Sequence, residues 1–283
     1  MDKNPKNNPG CEALASTATK RYMDIPCESE RSQQQSRRGD FEDSKERLDV
    51  EMVKRNLVKS RAIATRLISE RQVLVAGVPA TKANQQVTVD TKIKLISTPK
   101  FVGRGGEKLA AALSAFSINP KGLVALDVGS STGGFTDCLL QADAKKVYAV
   151  DVGTNQLDST LKKDTRVTLM EQTDIRKVTS LPDMIDLSVI DVSFISLTKV
   201  LPSVSKLVKK AGTIIALIKP QFETGPDSKN RAGVIVDTTI RENALESVLD
   251  FAKEIGLEII NTIPSPVAGG EGNLEYLVHL KNN

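Results

Sequence analysis

From Leu123 to its C-terminus the chain alternates apolar runs of strand length with helical or loop segments. This alternation constrains the fold more than any other feature. The runs are LVALDV, KVYAVD, RVTLME, MIDLSVID and GTIIALIK. Near-continuous apolar runs of this length, bounded by turn residues, mark strands buried on both faces. Strands that alternate with helices predict βαβ units and a parallel sheet. After the helical run IRENALESVLDFAKEIG come two more strands, LEIINTI and LEYLVHL, joined by a short Pro/Gly loop. That pair predicts an antiparallel hairpin. The larger unit is therefore expected to be α/β, a mostly parallel seven-stranded sheet that ends in an antiparallel hairpin.

A smaller α+β unit is expected in front of it, over residues 47–97. RLDVEMVKRNLV places Leu48, Val50, Val53, Leu57 and Val58 at helical spacing. Ser60 suits an N-cap for a second amphipathic helix, RAIATRLISERQ. VLVAGVPA turns at Ala76-Gly77 between two short apolar runs, and QQVTVDTKIKLI adds strand-like alternation. Residues 1–46, rich in Ser, Gln, Asn, Lys and Glu without period, read as disordered. Residues 98–107 read as a Pro/Gly linker, and Lys108 opens the first helix of the unit that runs to residue 283.

Charge is distributed unevenly. The chain carries +4 overall, but residues 47–108 carry +8, against −1 before them and −3 after. A concentrated positive patch is the footprint of a polyanion binder; it is also what a solvated helix face looks like. Lys54, Arg55, Lys59, Arg61, Arg66 and Arg71 fall on or between the two helices, and Arg104 lies in the linker.

The composition excludes several classes. Three cysteines without a CxxC pair and one histidine, His279, offer neither a disulfide framework nor a metal site. No run approaches the roughly 18 apolar residues of a membrane helix. The N-terminus has no apolar signal core, so a cytoplasmic location is expected.

The chemistry-bearing motifs sit after strands. Asp127, Gly129, Ser130, Ser131, Thr132, Gly133, Gly134 and Phe135 span a strand, a glycine-rich turn and a helix start. Such a turn lets a ligand approach the backbone. Its spacing is G-x-x-x-G-G, which fits dinucleotide binding poorly and the S-adenosylmethionine loop well. Asp151 at the tip of KVYAVD is placed to bind ribose hydroxyls or to cap a helix. Asp174 in QTDIRK suits an N-cap, and its counterpart in the methyltransferase fold that this segment resembles faces the adenine. Asp191 in DVSFISL, Lys219 in LIKPQFE and Glu275 in GNLEYLVHL lie at or near predicted strand ends, where ligands bind in open α/β sheets.

LVKSRAIATRLISERQVLVAGVPA, with VDTKIKL, resembles an S4 RNA-binding domain; Ser60 and the six basic residues would be its RNA contacts. The later segment resembles the Rossmann-like S-adenosylmethionine methyltransferase fold. Lys108, Asp191, Lys219 and Glu275 resemble the K-D-K-E tetrad of the FtsJ-type ribose 2′-O-methyltransferases. With GRGGEKL, DVSFISL, LIKPQFE and GGEGNLEYL, residues 47–283 look like the TlyA family of rRNA methyltransferases, also called hemolysins. Glu107 and Glu271 depart from that pattern by placing acids beside the cleft motifs. The resemblance implies transfer of a methyl group from S-adenosyl-L-methionine to a ribose 2′-hydroxyl, of cytidine in ribosomal RNA or ribosomal subunits. Lys219 would take the proton if its own is removed by burial or a second cation, and Lys108 would supply that cation and hold ribose or phosphate. Asp191 and Glu275 would orient them, and no metal is required because the cofactor carries an activated methyl.

Other readings compete. An S4-type RNA or ribosome binder with an inactive methyltransferase fold would lack cofactor binding. A membrane-lytic toxin lacks a segment to do it. A nicotinamide oxidoreductase is disfavoured by the glycine spacing. Residues 225–237, GPDSKNRAGVIVD, read either as a lid on the cleft or as a connector.

Overall fold

The computed structural model describes residues 45–96, 99–225, 228, 230, 233–269 and 272–283. The disorder expected for residues 1–46 falls almost wholly outside the described residues, and so does Glu271. The chain divides into two compact units between Lys94 and Leu95, within the last residues of the strand Ile93–Leu95 that otherwise belongs to the first.

The first unit contains β1 (Glu46–Arg47), α1 (Leu48–Lys54), α2 (Arg61–Ser69), β2 (Val73–Val75), β3 (Val78–Pro79), β4 (Gln86–Val87) and β5 (Ile93–Leu95). β1 pairs with β4, and β3, β2 and β5 form a three-stranded sheet in that order. Leu48 and Met52 of α1 and Ala64, Leu67 and Ile68 of α2 are buried. α1 is shorter than its apolar pattern predicts, because Asn56 takes a left-handed φ of 55° and turns the chain. Ser60 caps α2, its Oγ accepting from the Ile63 N–H at 3.4 Å. Ala76 and Gly77, at φ of 50° and 85°, make the hairpin turn, since paired positive φ matches the twist of the strands it joins.

The second unit contains α3 (Gly105–Ala115), β6 (Val124–Val128), α4 (Gly134–Gln141), β7 (Lys146–Val150), β8 (Val167–Met170), β9 (Ile185–Ile190), α5 (Leu201–Leu207), β10 (Val208–Ile218), α6 (Pro220–Glu223), α7 (Thr238–Glu254), β11 (Leu257–Pro264) and β12 (Tyr276–Asn282). The sheet order is β11-β12-β10-β9-β6-β7-β8. The pairs β10–β9, β9–β6, β6–β7 and β7–β8 are parallel, and β12 runs antiparallel between β10 and β11.

Alternate residues feed two cores, one on each face of the sheet. Val124, Leu126 and Val128 of β6 join Tyr148, Ile190 and Ile214. Ala125 joins Val147, Leu187, Val189 and Ile215 on the other face, under α3 and α4.

The second half of the sequence-predicted linker belongs to this unit. α3 starts at Gly105, three residues before Lys108. Phe101 is buried in the core that holds Leu109 and Phe135, and the Val102 N–H donates to Asp137 Oδ2 at 2.8 Å. The glycines that suggested flexibility serve close packing instead. A Cβ on Gly106 would sit 2.3 Å from the Phe101 ring.

Candidate active site

β6 is the switch point of the sheet: β7 follows on one side and β9 lies on the other. The crevice beyond the carboxyl ends of these strands is where open α/β sheets bind ligands. The turn after β6 enters it. Gly129, at φ of 85°, passes so close to the end of β9 that a Cβ would lie 2.5 Å from the Asp191 carbonyl oxygen. Gly134, at the start of α4, packs backbone to backbone on the GRGG segment. A Cβ there would lie 3.0 Å from the Gly106 nitrogen and 3.2 Å from the Gly103 oxygen. Gly133 has φ of 96°, and its missing side chain leaves room for Leu157 and Leu161.

Two ion pairs meet at this crevice. Lys219, the residue after β10, has its Nζ 2.6 Å from Asp191 Oδ1 and donates to Ser193 Oγ at 2.9 Å. Lys108, on the second turn of α3, donates to Glu275 Oε2 at 2.5 Å. Gln221 Nε2 of α6 lies 3.4 Å from the other oxygen of Glu275. Lys108, Asp191 and Lys219 line one cavity of about 230 Å³ with Arg104, Ser130, Thr132 and Phe135. Ser130 Oγ is buried there without a hydrogen-bond partner.

A larger adjoining cavity of about 710 Å³ shares Gly129, Ser131, Asp191 and Ser193 with the first. It is also lined by Asp151, Val152, Gln156, Asp174, Val192, Phe194 and Ile195. Asp151 is fixed at its mouth, with Oδ2 accepting from the Ser131 N–H and Oδ1 from the Gly153 N–H, both at 2.7 Å. Asp174 caps the short 3-10 turn Ile175–Lys177 and pairs with Arg176 at 2.6 Å. The Arg176 guanidinium holds the Asp174 carboxyl below the usual carboxylate range. Phe194 is 91% exposed at a left-handed φ of 62°, and its ring lies 5.1 Å from that of Phe222.

Asp127 and Gly133 line neither cavity. Asp127 lies fully buried beneath the turn, accepting from Thr136 Oγ1 at 2.6 Å. Burial, with nearby Asp191 adding to it, pushes its carboxyl up to about 7. Sequence reasoning passed over Ser193, Phe194, Gln221 and Val152. The runs DVSFISL and LIKPQFE were legible as motifs, but exposure and packing single out residues inside them.

In the first unit several basic residues act as internal braces. Arg55 donates to Glu51 and to the carbonyls of Thr88, Val89 and Thr91. Arg61 and Arg47 both bind the buried carboxylate of Asp49. The Arg47 and Arg61 guanidiniums hold that carboxyl down to about 2. Lys54 pairs with Glu46 at 2.5 Å. Lys59 and Arg71 are exposed. Arg66 is half-buried, and its Nε is buried without a hydrogen-bond partner.

A seven-stranded sheet with one inserted antiparallel strand, a glycine turn after its first strand and an acid at the tip of the second defines an S-adenosylmethionine-dependent methyltransferase. The profile of the FtsJ-like methyltransferase family matches residues 101–282, and that of the S4 domain matches residues 46–93. Hemolysin A of Brachyspira hyodysenteriae is 39% identical over 236 residues, covering 82% of this chain and 98% of its own length. The 16S/23S rRNA (cytidine-2'-O)-methyltransferase TlyA of Mycobacterium tuberculosis is 38% identical over 239 residues, 83% of this chain and 89% of its own. A solved structure named as a hemolysin from Streptococcus thermophilus superposes with TM-score 0.68 at 39% identity, covering 84% of this chain and 89% of that one. The chain belongs to the FtsJ-like methyltransferases and, within them, to the TlyA family. Among the described residues no helix is long and apolar enough to cross a membrane.

Proposed function

We propose that the protein transfers a methyl group from S-adenosylmethionine to a ribose 2′-hydroxyl of a cytidine in ribosomal RNA. Lys108, Asp191, Lys219 and Glu275 would be its catalytic set. The observation that carries this reading is the meeting of two lysine–carboxylate pairs at the end of the glycine turn.

The crevice fits the cofactor. Ser130 Oγ is buried without a partner on its wall, and the glycines leave the backbone open to a close ligand. Asp151 is anchored by two backbone N–H groups, so it meets ribose hydroxyls in a fixed pose. Val152, 73% exposed, and Val192 and Ile195, which line the same cavity, would form apolar sides for an adenine, with Asp174 at its edge. When bound, S-adenosylmethionine supplies a methyl group already activated on a sulfonium.

The protein's own part is positioning and proton handling. A ribose hydroxyl set against Lys219 Nζ passes its proton there once the ammonium has released its own. Asp191, 2.6 Å away, then holds the ammonium that forms. Lys108 fixes ribose or phosphate from the α3 side, oriented by Glu275. Phe194 at the rim offers an aromatic face to an unstacked base. The first unit docks the RNA through Lys59, Arg66 and Arg71, with Ser60 capping the helix that carries Arg66 and lies between the other two; phosphate contacts there supply affinity.

The test is methyl transfer from radiolabelled S-adenosylmethionine to unmethylated small and large ribosomal subunits, followed by nuclease digestion. Label in a 2′-O-methylcytidine supports the reading. Cofactor binding with no label in any ribosomal RNA removes the substrate assignment. Absence of cofactor binding with RNA present removes the enzyme.

A further inference from the structure

We propose that Asn273 is a positioning residue of the reaction: its buried amide tethers the turn that presents Glu275 to Lys108. The inference rests on the catalytic reading of that pair.

Asn273 lies two residues before Glu275 and is 1% exposed. Its side chain is spent on a distant stretch of backbone. Oδ1 accepts from the Ile235 N–H at 3.0 Å, and Nδ2 donates to the Gly233 carbonyl at 3.1 Å. One partner can only donate and the other can only accept, so the amide has a single orientation. The stretch it grips is itself anchored. Ile235 is buried, and the Arg241 guanidinium of α7 donates to the carbonyls of Ile235 and Val236 at 3.1 and 2.6 Å. Residues 233–236 are therefore gripped by side chains of both Asn273 and Arg241.

The other end of the tether is the turn before β12. The Asn273 carbonyl accepts from the Gly269 N–H at 2.9 Å, and the Glu275 carbonyl accepts from the Ser265 N–H at 2.8 Å. The Glu275 carboxylate rests directly on Gly269, where a Cβ would lie 2.5 Å from Oε1. Glu275 thus reaches Lys108 from a turn whose stance is set by its hold on residues 233–235. Catalytic groups must be held within about 0.5 Å of their working geometry. Cutting the tether shifts Glu275 and leaves the glycine turn of the cofactor crevice untouched.

The experiment compares Asn273→Ala and the near-isosteric Asn273→Asp, each alone and combined with Glu275→Gln, in the full chain. Asp keeps the acceptor for Ile235 but sets a carboxylate oxygen against the Gly233 carbonyl, whereas Ala removes both arms and buries no charge, so Ala is the variant that keeps the fold if Asp does not. The expected result is a fall in kcat of roughly tenfold or more, with the S-adenosylmethionine Kd within about twofold of wild type. In the Glu275→Gln background the same change costs less than about twofold, because coupled residues are non-additive. Hydrogen exchange of the amides over 272–276 speeds up, while that of 124–134 does not. An equal loss in both backgrounds, or unaltered exchange over 272–276, overturns the proposal. If wild type methylates no RNA, the proposed function falls, and the exchange arm still decides whether Asn273 tethers Glu275.

Discussion

Lys108 and Glu275 are 167 residues apart in the chain, yet the ammonium and carboxylate meet at 2.5 Å with both side chains buried. A buried pair seldom adds net stability, because desolvating two charges offsets their attraction; losing one member leaves a stranded charge. The pair is therefore expected to be costly to break. Glu275→Ala should lower unfolding stability by about 3 kcal/mol, and Glu275→Gln by about half as much because an acceptor remains for Lys108. Urea denaturation at neutral pH measures both, and a loss below about 0.5 kcal/mol in each would mean that the pair is open to water.

Lys219 is paired with Asp191 and Ser193. Lys219→Ala should reduce methyl transfer by about 100-fold or more, the usual yield of a positioned base. Lys219→Arg should do nearly the same. A guanidinium keeps the charge opposite Asp191 but does not release its proton. Single-turnover assays with saturating cofactor test this, and an Arg variant with more than about a tenth of wild-type rate would dismiss Lys219 as the base.

Two kinds of glycine should be separable. Gly256 has φ of 86° and open space around it, so Gly256→Ala should cost only the left-handed conformational term, about 1–2 kcal/mol. Gly129 has the same handedness but would drive a Cβ into the Asp191 carbonyl. Gly129→Ala should cost more and weaken S-adenosylmethionine binding about tenfold or beyond. Calorimetric titration and thermal melts distinguish the two; equal effects would mean that the Gly129 turn is not part of the cofactor crevice.

Asp127 should make stability fall as pH rises. Burial raises its carboxyl from 3.8 to about 7. Between those values the folded chain holds a proton that the unfolded chain has released. The contribution is fully present below 3.8 and is lost as pH rises through about 7, at up to roughly 1.4 kcal/mol per pH unit. Asp127→Asn should flatten that slope. Denaturation curves at intervals from about pH 5 to pH 8 measure it, and identical slopes for variant and wild type would show Asp127 ionised in the fold.

The basic residues of the first unit should sort into two phenotypes. Arg61 binds the Asp49 carboxylate. Arg61→Ala should lower stability by about 1–2 kcal/mol, less than for a hydrogen bond between fully buried groups because Arg61 is itself exposed. Lys59→Ala and Arg71→Ala should leave melting unchanged, weaken binding to ribosomal RNA and reduce its salt slope by about 1 each. A binding loss for Arg61→Ala without loss of stability would reverse this assignment.

The sequence was most legible where local chemistry repeats. The strands LVALDV, KVYAVD and GTIIALIK were visible because burial on both faces makes them apolar throughout. Ser60 and the Ala76-Gly77 turn were visible because caps and positive φ need particular side chains. The segment 101–107 was misjudged. Its glycines look alike whether a backbone is free or pressed against Phe101 and Gly134, and only packing separates those cases. Likewise Arg55, Arg61 and Lys59 are equivalent as charges in the sequence, and their different duties depend on carboxylates and carbonyls elsewhere.

By itself the sequence determined the order of strands and helices and the glycine turn, because periodicity and φ preference are local properties, and it offered the proposed tetrad through the resemblance of the surrounding motifs. The tertiary structure decided which lysine faces which acid, that Asn273 holds the turn of Glu275, and that Phe194 stands out into solvent. Those relationships join residues far apart in the chain, and they exist only once β10, β12 and α3 have packed around a common sheet.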